Sequence, residues 1–133
     1  MIVRLAALAL LGGCGLALDC GDTVVQHASS PYGRAAAVVF TRDCGATTGF
    51  STQVAIVGHV DARPRDQDVV FVADDDHGAA PAPPGRGPEV RVRWTAANKL
   101  EVAYDPRART FRQASVHGHV RIAYTGLPDP AAR

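Results

Sequence analysis

Lysine is almost missing from this chain: Lys99 is the single one among 14 basic side chains, the rest being arginine. Thirteen acidic residues hold the formal net charge to +1. A chain so balanced lacks the basic footprint that nucleic acid requires, so no nucleic-acid partner is expected. Aromatic residues are scarce at 6%, so a core must be assembled mainly from aliphatic side chains. Long hydrophobic runs are missing too. The most apolar stretch ends at Asp19, short of the roughly twenty residues that cross a bilayer as a helix. There is no Cys-x-x-Cys and no Gly-x-Ser-x-Gly. The first absence argues against a thioredoxin-like redox site and the second against a hydrolase nucleophile elbow.

What is present begins at the N-terminus, with "MIVRLAALALLGGCGLALDC". One cation, Arg4, precedes the apolar run from Leu5 to Leu11, and small residues follow. That order marks an export signal. Leu11-Gly12-Gly13-Cys14 resembles a bacterial lipobox. The resemblance implies a diacylglycerol thioether on Cys14, cleavage before it, and a membrane held through this N-terminal lipid anchor. A plain secretory signal cut after Ala17 is the alternative, and it would leave a soluble secreted or periplasmic protein. Removing residues 1–13 takes away Arg4 and leaves no formal charge, hence no polybasic patch to assist an anchor. The partition expected is a signal peptide over 1–13, a tether over 14–21, one domain over 22–125 and a tail over 126–133.

Three cysteines is an odd number. With Cys14 carrying lipid, Cys20 and Cys44 remain as a pair, and export places them where disulfides persist. Closing that loop would stabilise the domain by about 3 kcal/mol on a chain-entropy basis.

The rest of the chain reads as strands. Residues 35–42, "AAAVVFTR", are apolar on both faces, as a strand covered twice would be. "QVAIVGHV" and "VVFVAD" behave similarly. "EVRVRWT" and "KLEVAY" alternate, with Trp94 expected in the core. In "VHGHVRIAY", straight alternation puts Val116, Val120, Ile122 and Tyr124 on one face and His117, His119 and Arg121 on the other. The fold class is therefore all-β: a small antiparallel sheet or sandwich preceded by a helical signal segment. "SPYG" predicts a turn with Gly33 at positive φ, and Asn98 suits the left-handed position of a hairpin. "DDDHGAAPAPPGRGP", residues 74–88, predicts a mobile surface loop.

Two resemblances follow. "SPYGRAAAVVF" and "VRVRWTAANKLEVAY" resemble strands of a β-propeller blade, but the chain is too short to close a propeller. More specifically, "SPYGR" and "FTRDCGATTGFSTQV" resemble an uncharacterised family of small exported bacterial proteins marked by S-P-D-G-K and F-x-R-D-C-G-A-T-T-G-F-S-T-Q-V. Tyr32 stands where that pattern has an acid. The resemblance implies an exported domain and carries no activity.

Arg42, Asp43, Thr47, Thr48, Ser51 and Thr52 gather around Cys44 in sequence, and their hydroxyls and amides suit a polar or anionic ligand. The competing reading is a tight loop whose hydroxyls cap backbone groups while Arg42 pairs with a carboxylate. His117 and His119 suggest metal chelation with Asp74, Asp75, Asp76 or His77, although zinc wants three or four fixed ligands. No cofactor is expected. The sequence thus points to a non-enzymatic envelope module that binds an envelope protein, peptide or polymer. The alternative is an envelope enzyme working at the Arg42–Thr52 loop, metal-assisted by His117 and His119.

Overall fold

A computed structural model describes residues 20–45 and 49–128. Cys14, the signal segment, most of the tether, Thr47, Thr48 and the end of the tail lie outside these residues.

The described chain is all-β. Its strands are β1 (Gly21–Ser29), β2 (Ala36–Asp43), β3 (Phe50–Val57), β4 (Val69–Asp74), β5 (Val90–Ala96), β6 (Lys99–Tyr104), β7 (Arg109–Gln113), β8 (Val116–His117) and β9 (Val120–Gly126). They form a five-stranded sheet ordered β1-β2-β3-β4-β7 and a four-stranded sheet ordered β5-β6-β9-β8. Every pairing is antiparallel except β6 with β9, which is parallel. β1 and β9 each reach one residue beyond the expected 22–125 domain.

The two sheets face each other across one aliphatic core. Ala37, Val39, Val54, Ile56 and Phe71 from the first sheet meet Val90, Val92, Leu100, Val102 and Ile122 from the second. β2 and β3 are apolar on both faces because a second cluster lies outside the sandwich. There Val38, Phe40, Ala55 and Val57 pack beneath Val60 and Ala62 of the 58–68 segment. Trp94 is only partly buried at the edge of the main core. Its ring is held by a hydrogen bond from Nε1 to the Ala28 carbonyl, 2.8 Å.

Polar side chains bridge the open edges. β5 is an edge strand, and the Gln26 amide covers it, donating to the Val92 carbonyl (3.2 Å) and accepting from the Val92 amide (3.3 Å). On the opposite side the Tyr124 hydroxyl donates to the Ala114 carbonyl at 2.7 Å, where the chain passes between sheets. Burial pushes that phenol up to about 12.

Four expectations change. β1 and β7 were not foreseen as strands: β1 carries a bulge at Val25 that interrupts its alternation, and all five residues of β7 are exposed. "VHGHVRIAY" is a hairpin, not one strand, because Gly118 turns the chain at φ 59. Val116 therefore lies opposite Arg121 and is exposed, while His117 lies opposite Val120. Asn98 does not enter the left-handed region; Thr95 is left unpaired as a bulge beside that turn. Residues 80–88 do not float. Ala80 and Pro88 are fully buried, and the Thr52 hydroxyl donates to the Pro88 carbonyl at 2.6 Å. Proline-rich backbone can pack when a side chain satisfies its carbonyl.

Candidate functional site

Cys20 and Cys44 are joined in a disulfide that ties the start of β1 to the end of β2. Beside it, Arg42 forms a two-point ion pair with Asp22 (2.9 and 3.0 Å), reaches Asp66 at 3.5 Å, and stacks over Phe40. The Asp22 hydrogen bond raises the Arg42 pKa further above its ordinary value. An Asp43 carboxylate oxygen accepts from the Gly45 amide at 2.9 Å, an Asx turn. The Ser51 hydroxyl accepts from the Gln53 amide.

Register decides what these residues can do together. Arg42 pairs across with Ser51, and Thr41 with Thr52, so Arg42 and Ser51 face outward while Thr52 points between the sheets. Thr52 is 3% exposed, with its hydroxyl committed to Pro88. Arg42 and Thr52 therefore share no surface. The described part of the 42–52 loop uses its polar groups as a structural corner does.

The histidines also part from their expected partners. Asp74 pairs with Ser51 at the disulfide end of the sandwich. His117 and His119 lie at the far end, beyond Ala35 and Val57. The run from Ser51 to Val57 is roughly 20 Å of strand. Among the described residues, no group of three or more His, Cys, Asp or Glu side chains could hold a metal ion.

Two clefts remain. The larger, about 1030 Å³, runs beside the 81–91 segment and the edge of β5. Most of its charges are spent on one another: Arg91 pairs with Glu89 and Arg93 with Glu101. The smaller, about 660 Å³, lies at the end opposite the disulfide, where four connections meet. Size favours the first cleft, but uncommitted charge favours the second.

Each connection at this second cleft has a local cause. In the Ser30–Arg34 turn, Tyr32 (φ 72) and Gly33 (φ 67) both take left-handed conformations, and the Gly33 amide donates to the Ser30 carbonyl. Tyrosine at such a φ costs roughly 1–2 kcal/mol, where Asp or Asn would cost less. Its ring is 90% exposed. The turn delivers Arg34. The 58–68 segment is pinned by Val60 and Ala62 and delivers Arg63 and Arg65. Asp68 engages Arg65, accepting from its backbone amide (2.9 Å) and its Nε (3.4 Å). The Ala97–Asn98 turn is held by the Arg121 amide donating to the Asn98 carbonyl. The Gly118 hairpin delivers His117 and His119. Only the histidine pair stood out in the sequence. The three arginines sit in separate turns with no shared pattern, and their meeting is a product of topology.

No family model, curated protein or solved structure matches the chain, so the functional reading rests on these residues and their arrangement.

Proposed function

We propose that this chain is an exported, lipid-tethered binding module of the bacterial cell envelope, non-enzymatic, acting on an envelope protein, peptide or polymer. The observation that carries the reading is the position of Cys20. Its bond to Cys44 fixes where the N-terminal segment leaves the sandwich, at the end opposite the Arg34–His119 cleft. Cys14 precedes Cys20 by six residues, a reach of roughly 20 Å when extended. A lipid on Cys14 therefore keeps the disulfide end near the bilayer and turns the cleft away from it. The lipobox-like Leu11-Gly12-Gly13-Cys14 and the disulfide suited to an oxidising compartment support the same reading. Metabolic labelling with palmitate tests it. Label should enter the wild-type chain and not Cys14→Ser, which should pass to the soluble fraction. Labelling that survives the substitution, or a mature N-terminus at Leu18, would reject the anchor.

A further inference from the structure

Arg34, Arg63, Arg65, His117 and His119 come from three separate segments and surround one cleft that contains a single acid, Asp68. The chain as a whole holds 14 lysine and arginine side chains against 13 acidic ones, whereas this cleft gathers three arginines against one acid. The side chains of Arg34 and Arg63 make no hydrogen bond or ion pair with any described residue, as is also true of Arg86, Arg112 and Arg121. Arg42, Arg91, Arg93, Arg107 and Arg109 all do. Like charges gathered around a cavity repel one another, and a bound anion relieves that repulsion. Guanidinium groups present paired N–H donors that match the oxygens of phosphate or carboxylate. The floor differs in character: Ile56 and Val120, both of the inter-sheet core, are nearly buried and offer only hydrocarbon. A volume of about 660 Å³ lies within the range of roughly 300–1,000 Å³ typical of small-molecule sites.

We infer that this cleft binds a small oxyanion ligand, a phosphate monoester or carboxylate carried on a compact apolar body. The Arg34 and Arg63 guanidinium groups clasp the head, and Ile56 and Val120 receive the body. The inference deepens the binding-module reading and rests on it for the orientation of the cleft alone.

The test is isothermal titration calorimetry of the full chain in an uncharged maltoside detergent. Its probes are phenyl phosphate, benzoate and benzyl alcohol. At least one of the two anions should bind saturably at one site, and the stronger identifies the head group. Benzyl alcohol, which has the body without the head, should bind at least about ten-fold more weakly. Arg34→Gln and Arg63→Gln should each weaken anion binding about ten-fold, while Arg86→Gln, at the other end of the sandwich, should not. Unchanged circular dichroism and melting of the variants would show that the loss is local. Failure of both anions to saturate would overturn the inference, as would benzyl alcohol binding equally well. So would Arg34→Gln and Arg63→Gln binding like Arg86→Gln. Palmitate labelling of Cys14 with no anion binding would remove only the ligand class. Anion binding without labelling would remove the tether and keep the site.

Discussion

Alanine at Gly87 should be among the most damaging small substitutions in this protein. A Cβ there would stand 2.7 Å from both the Ser51 carbonyl carbon and the Thr52 amide nitrogen, and would also collide with the Thr52 hydroxyl. The first two atoms are backbone of β3, paired on both sides within its sheet, and cannot retreat. The 81–88 segment must lift instead. Lifting breaks the hydrogen bond from Thr52 to Pro88, worth about 1 kcal/mol, and the overpacking itself costs about 1–3 kcal/mol. A total of about 2–4 kcal/mol lowers the melting temperature of a domain this size by about 10–25 °C. Two other glycines calibrate the result. Gly58 has open space and no positive φ, so Gly58→Ala should lie within about 0.5 kcal/mol of wild type. Gly85 is equally open but sits at φ +72, so Gly85→Ala should cost about 1–2 kcal/mol from the backbone alone. Urea unfolding followed by the fluorescence of Trp94, the sole tryptophan, measures all three. If Gly87→Ala proves as stable as Gly58→Ala, the segment does not pack on β3, and the argument from close approach fails.

Reducing the Cys20–Cys44 bond, with 24 residues of sequence separation, should cost about 3 kcal/mol on the chain-entropy account. A non-reducing peptide map should contain the linked pair, and full alkylation of Cys44 without prior reduction would contradict it. In acid, Asp74 is the residue to watch: hydrogen bonds from Arg109 hold its carboxyl below its ordinary 3.8. Its contribution is present above 3.8 and fades as pH falls through the depressed folded value, so Asp74→Asn should destabilise at neutral pH. The gap to wild type should close in strong acid, and a gap equally wide at roughly pH 2 and pH 7 would refute the assignment. In alkali the sign reverses. The Tyr124 phenol is raised from 10.0 to about 12, so its contribution holds below 10.0 and is lost as pH climbs toward 12. Tyr124→Phe should remove the latest-ionising phenol from an absorbance titration, and an unchanged final phase would refute that.

Strands covered on one or both faces were legible in the chain, because burial writes itself into the apolar pattern. β2, β3, β4, β5 and β6 are of this kind. β1 and β7 were not, since no residue of either is buried and each carries an irregular register, at Val25 and at Phe111. The reading of 116–124 failed for a subtler reason. A tight hairpin leaves the spacing of valines looking continuous while it turns the chain back, and one glycine is the only sign of it. The pairing of Cys20 with Cys44 was legible through the cysteine count. The cationic cleft was not, because spacing along a chain says nothing about which turns a sandwich brings to the same end.

The parallel contact between β6 and β9 has a consequence for the order of assembly. Two parallel neighbours cannot be joined by a hairpin, and here the intervening chain crosses to the other sheet, lays down β7 beside β4, and only then returns. Each sheet therefore waits on the other. A nascent chain that has reached Tyr104 holds four antiparallel pairings between successive strands but still leaves the outer edge of β4 bare, and β6 lacks its second neighbour. Neither layer can mature as a separate folding unit, and a cut between residues 105 and 108 would strand both halves with exposed ladders. The domain should therefore unfold in one step, with rates set by late, long-range closure and with aggregation through those edges as its characteristic failure.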